Sequence, residues 1–137
     1  MSLVIPFLAQ ICLSLVTTFM LATARLGALK RREVRLSAIA ISNEAWPNPV
    51  RLLTNNYANQ FESPVLFYAM ILMALHLGAT GIGMVAAAWV FVASRLGHSL
   101  VHLNGNNVRR RFYVFGTGIL ALTAMAVQLA LAAVGAR

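Results

Sequence analysis

The chain has 137 residues, 60% of them hydrophobic and 10% charged, with a mean hydropathy of +0.77 and a formal net charge of +8. A soluble domain carries about 25% charged residues, so this composition excludes a globule that covers itself in water and points to a one-domain integral membrane protein. One cysteine, Cys12, excludes an internal disulfide.

Four apolar runs approach the ~20 residues that a helix needs to cross ~30 Å of hydrocarbon. They cover residues 3–26, 52–77, 82–103 and 112–134. The first lacks a basic leading segment, and its apolar stretch exceeds the ~7–15 residues of a signal-peptide core, so it reads as a retained anchor. Residues 27–51 form the one sizeable loop, combining "KRREVR", "LSAIAISNEAW" and "WPNPV". Pro47 and Pro49 favour extended backbone at the residues before them, so a loop helix is expected to end near Trp46. The later connections are short, so sequence neighbours should stand antiparallel in an up-down bundle. Helix contacts are expected at small residues, Ala86–Ala88 and the Ala126/Ala130 pair.

Charge sets the orientation. Arg25, Lys30, Arg31, Arg32, Arg35 and Arg51 flank or fill the first loop, Arg109, Arg110 and Arg111 fill the third, and the turn "HLGATGIG" has none. The excess of Lys and Arg in loops one and three places them in the cytoplasm, with both termini and loop two outside. These basic runs abut spans, which favours topogenic and lipid-headgroup roles and argues against nucleic acid as a partner.

Polar side chains then interrupt the spans. Asn55, Asn59 and Glu62 are spaced i, i+4, i+7, within about 60° of one another on a helix. In the third span Arg95, His98 and His102 are spaced i, i+3, i+7. Ionisable groups inside a span are costly and face a protein interior or a wet cavity, so both faces mark a site in the cytoplasmic half. Asn55, Asn56 and Gln60 taken alone read as amides that tie helices together. Pro64 leaves the Gln60 carbonyl without its helical donor, which predicts a kink or a water beside Glu62. Two antiparallel helices place at one depth residues whose numbers share a sum; Glu62/Arg95, Asn59/His98 and Asn55/His102 do so. The deepest rung predicts a charge-assisted Glu62–Arg95 pair, within a subunit or across a boundary. His98 and His102 could begin a metal site, but Glu62 is the nearest third ligand and Arg95 competes for it, so no metal is assigned.

With "NNYANQFESPVLFYA" opening the second span and "ASRLGHSLVHLNGNNVRRRF" closing the third, the chain resembles the MAPEG family, the membrane-associated proteins of eicosanoid and glutathione metabolism, in its bacterial branch. The resemblance covers nearly the whole chain. It implies an all-α membrane fold, a four-transmembrane-helix up-down bundle assembling as a homotrimer. It also implies glutathione as cofactor, bent between adjacent subunits near the cytoplasmic side. The family's second-helix pattern of Arg, Asn and Glu falls on Asn55, Asn59 and Glu62, with Asn55 in place of the Arg. Its third-helix pattern falls on Arg95, His98 and His102, with His102 in place of a Tyr. The cation that stabilises the glutathione thiolate in some members falls on Arg109.

Two function classes follow. One is a glutathione-dependent transferase or peroxidase of a bacterial cytoplasmic membrane, acting on lipophilic small molecules, with Arg109 as catalytic cation and the other six residues as cofactor contacts. The other is a non-catalytic module, lipid-binding or an accessory subunit, that has lost those contacts. Cys12, inside the first span, is not assigned as a nucleophile.

Overall fold

The computed structural model describes residues 2–105 and 107–135. Among them the regular elements are all helical: α1 (Val4–Lys30), a 3-10 turn (Leu36–Ala38), α2 (Asn48–Asn59), α3 (Ser63–His76), α4 (Ile82–Leu103) and α5 (Val108–Gly135). Three of these, α1, α4 and α5, are each long and apolar enough to cross a membrane.

The second expected span departs from a single helix. Pro64 has no N–H to give the Gln60 carbonyl, and its ring crowds that turn, so residues 52–77 divide between α2 and α3. Just past the end of α2 the N–H groups turn to i−3 carbonyls: Gln60 to Tyr57 at 2.9 Å and Phe61 to Ala58 at 2.9 Å. Proline fits the first turn of a helix, where its missing donor goes unused, and Pro64 begins α3 in this way. At ~1.5 Å per residue the 14 residues of α3 fall short of a bilayer without α2.

The loop also differs from its expectation. Pro47 and Pro49 do not close a helix at Trp46; they open α2, with Pro47 as N-cap. Upstream there is only the 3-10 turn. The loop folds back instead, burying Trp46 with Leu21, Ala28 and Val50, while Val34 and Ile39 pack on that cluster. Its exposed Arg31 donates to Glu33 at 2.7 Å, and these hydrogen bonds hold the Glu33 carboxyl below its ordinary pKa.

At the other end α3 closes in a Schellman turn. Gly78, at φ +69°, occupies the left-handed position, and the Ala79 N–H reaches the Ala74 carbonyl at 2.9 Å. The main apolar core joins α3, α4 and α5 through Phe67, Ile71, Ala88, Phe91, Leu122 and Met125. Phe67 and Phe91 stack with centroids 4.6 Å apart.

The α4–α5 contact runs antiparallel, with Gly97 against Val114 at one end and Gly83 against Gln128 at the other. Of the small residues expected at contacts, Ala88 is buried whereas Ala126 and Ala130 face outward. The close approach falls instead on Gly118, where a Cβ would lie 2.5 Å from Ser94 Oγ. That hydroxyl is already held by the Phe91 carbonyl at 2.7 Å. Gly118→Ala should therefore lower the melting temperature in detergent, by the ~1–3 kcal/mol typical of overpacking. Adding Ser94→Ala should restore most of the loss, because the next neighbour, Ser94 Cβ, is 3.5 Å away.

Candidate functional site

The break between α2 and α3 builds the site. Interrupting the helix frees the Asn59 carbonyl, and Arg95 of α4 donates to it through Nη2 at 2.6 Å. Arg95 is 1% exposed, so a guanidinium is carried into the bundle on a backbone dipole. The expected Glu62–Arg95 ion pair does not form within the chain: among the described residues the one salt bridge within 4.0 Å is Arg31–Glu33. Glu62, just past the break, is exposed and turned into a cleft on the flank.

That cleft holds about 270 Å³ and is lined by Asn59, Glu62, His98, Val108, Arg111, Phe112 and Phe115. The amide of Asn59 approaches His98 Nε2 at 3.5 Å, the rung expected for these two. His98 is buried, its ring 6.0 Å from that of Phe115, and its Nδ1 has no hydrogen-bond partner among the described residues. One turn on, His102 is fixed from two sides. Arg111 Nη1 lies 2.6 Å from His102 Nδ1, and His102 Nε2 lies 3.0 Å from the Leu52 carbonyl. Because guanidinium nitrogens only donate, Nδ1 accepts, and Nε2 carries the proton given to Leu52.

Beside the cleft runs a chain of neutral amides and hydroxyls. Gln10 of α1 donates to Gln60 at 3.0 Å, Gln60 donates to Ser99 at 2.9 Å, and Ser99 donates to Asn56 at 2.9 Å. Asn56, Gln60 and Gln10 are fully buried. Asn56 and Gln60 are thus the helix ties expected of them; Gln10 and Ser99 are partners that spacing within one helix could not reveal.

A second hollow, about 450 Å³, lies between α1, the first loop and α2. Arg25 reaches into it, donating to Asn43 Oδ1 at 3.1 Å and Thr54 Oγ1 at 3.3 Å and standing 5.2 Å from the Trp46 ring.

The structure therefore gathers Asn59, Glu62 and His98 in one cleft, with Arg95 and His102 buried behind it. Asn55 stands apart, exposed beside Asn43, Glu44, Arg51 and Thr54. Arg109 is exposed and does not line the cleft, whereas Arg111, two residues on, does. The signal for Arg111 was its i, i+4 spacing from Phe115, which only the packing of α5 on α4 makes meaningful. Cys12 faces outward from α1.

These features define a helical membrane protein with a polar cleft opening on its flank. The profile of the MAPEG family matches residues 3–131, and the chain belongs to that family. No curated protein and no solved structure matches it significantly.

The bond network separates Arg95 from Glu62 in consequence. Arg95→Met leaves the half-buried Asn59 carbonyl without this donor and should cost about 1–3 kcal/mol. Glu62→Gln should stay within about 0.5 kcal/mol of the parent, as exposed sites do. Thermal unfolding of both variants in one detergent checks the contrast; equal losses would restore the ion pair.

Proposed function

We propose that the chain is a subunit of a homotrimeric, glutathione-dependent transferase or peroxidase acting on lipophilic electrophiles, with the whole chain forming one four-span domain. The observation that carries this reading is the cleft itself, where a carboxylate, an amide, an imidazole and a guanidinium meet phenyl rings. A zwitterionic thiol tripeptide calls for that set: Glu62 receives an ammonium, Asn59 pairs with a peptide group, and Arg111 offsets a carboxylate or a thiolate. Glutathione supplies the nucleophilic thiol. A nearby cation favours its ionised form and so its attack on an electrophile. Family resemblance assigns that cation to Arg109, and the position of Arg111 in the cleft wall makes it the second candidate. Arg95 and His102 act through others, Arg95 by fixing Asn59 and His102 by holding Arg111.

The trimer is supported by two open hollows on one chain, lined by different elements. A neighbouring copy that set its Arg25 hollow against the His98 cleft would close both. The same arrangement places Asn55, in the family's Arg position, outside the cleft. An uncharged amide turned away cannot supply the forked donors of an arginine. That observation favours the second reading, a non-catalytic membrane module.

Calorimetry in detergent with glutathione and with its S-methyl analogue separates the two readings. Saturable binding of both supports the enzyme, and no heat at millimolar ligand supports the module. Native mass spectrometry should show three copies; a stable monomer would remove the intersubunit cleft. In the enzyme, the arginine facing the thiolate should lower turnover far more than affinity when replaced by Ala, since such a cation acts most strongly in the transition state. Comparing Arg109→Ala with Arg111→Ala identifies it.

We infer in addition a bacterial membrane protein with loops one and three in the cytoplasm and both termini outside, an orientation that the loop-charge asymmetry supports. A cysteine introduced at Ala79 should react with a membrane-impermeant maleimide on intact cells, and one in loop one should not. The opposite pattern would invert the site.

A further inference from the structure

The first loop carries a feature that the cleft does not use. Between Val34 and Ile41 its apolar side chains divide between two directions. Val34 and Ile39 pack inward on the cluster of Leu21, Ala28, Trp46 and Val50. Leu36 and Ile41 point outward and are 71% and 102% exposed. The inward pair fixes the loop along the last turns of α1, because Leu21 lies nine positions before Lys30, the end of that helix. At ~1.5 Å per residue the loop thus doubles back beside a membrane-crossing helix instead of projecting into water. Two large apolar side chains are held outward there, beside the end of that helix.

The charges beside them select the lipid. Glu33 is bound by Arg31 in a two-toothed contact, Nε to Oε1 at 2.7 Å and Nη2 to Oε2 at 3.3 Å. That leaves Lys30, Arg32 and Arg35 exposed, with no carboxylate within 4.0 Å among the described residues. Arg32 sits at φ +54°, a left-handed conformation uncommon outside glycine, Asn and Asp, and it turns the chain sharply where α1 ends. The loop therefore presents two apolar anchors next to three unneutralised cations.

We propose that this loop is an interfacial strap that docks on an anionic bilayer surface, with Leu36 and Ile41 entering the headgroup–acyl boundary and Lys30, Arg32 and Arg35 lying against lipid phosphates. Interfacial segments bind in this way, by apolar burial added to attraction for acidic lipids. The strap connects to the Arg25 hollow through Asn43, which accepts from Arg25. Docking on the lipid therefore steadies the wall of that hollow. The proposal does not depend on catalysis or on glutathione.

The test uses the full chain in nanodiscs, with Cys12→Ser to remove the exposed native thiol. Ile41→Cys and, separately, Leu36→Cys carry an environment-sensitive nitrobenzoxadiazole label. Both sites are exposed, so the labels leave the fold intact. In discs containing phosphatidylglycerol the emission should shift to the blue and be quenched by lipids brominated near the headgroup. Arg32→Gln with Arg35→Gln, or salt near 1 M, where the screening length falls to ~3 Å, should reverse both changes. A water-like emission quenched by iodide in the same discs would overturn the proposal. So would a blue shift without bromolipid quenching, which means that protein covers the loop. Burial unaffected by the two arginine substitutions would overturn the choice of an anionic surface.

Discussion

The site rests on one missing hydrogen bond. Pro64 cannot donate to the Gln60 carbonyl, so the second apolar segment breaks between Asn59 and Ser63, and backbone that a continuous helix would satisfy is set free. In a bilayer such groups must be paired inside the protein. Arg95 takes the Asn59 carbonyl, and that contact orients α4 toward the break. Glu62, no longer on the helix face shared by Asn59, is left to line the cleft. The break also makes α3 too short to cross alone, so its place in the bundle depends on α2 and on the packing of Phe67 against Phe91.

Neutral polar groups rather than ion pairs knit the interior around this break. The run from Gln10 through Gln60 and Ser99 to Asn56 links α1, the α2–α3 junction and α4. Amides suit such a position because they both donate and accept and avoid most of the cost of desolvating a charge. Each bond adds little in a membrane, where measured values average ~0.6 kcal/mol, but together they fix one register of three helices. A slip would leave several buried donors and acceptors unpaired. The rigid wall that results holds His98 and His102 as nearly parallel rings, 6.3 Å between centroids, one at the cleft and one braced by Arg111.

The charged residues are divided by what surrounds them. Arg95 is buried on a carbonyl, and Arg25 is half-buried on an amide, a hydroxyl and the Trp46 ring. Glu33 is spent on Arg31, and Glu62 stands free of any ion pair among the described residues. One exposed acid in the cleft and one half-buried cation in the other hollow give a single chain two incomplete polar surfaces.

Much of this was legible in the residues themselves. Composition alone determined a membrane protein. Apolar run lengths determined α1, α4 and α5, Pro64 announced a kink though not the division into two helices, and the motifs in the second and third spans announced the family that the profile match shows. Antiparallel counting also brought Asn59 to His98. The tertiary structure alone decided which way each side chain faces. Counting along a continuous helix put Asn55, Asn59 and Glu62 on one face; in the folded chain Asn59, at the end of α2, and Glu62, beyond the break, line one cleft, whereas Asn55, one turn earlier on α2, is exposed beside Asn43, Glu44, Arg51 and Thr54. The same limit hid Arg111 behind Arg109, and Gln10 and Ser99 behind Gln60. Spacing within one helix fixes depth and local face, but partners on other helices are chosen by how the helices rotate as they pack. That rotation is set by contacts such as Gly118 on Ser94, which no single segment contains.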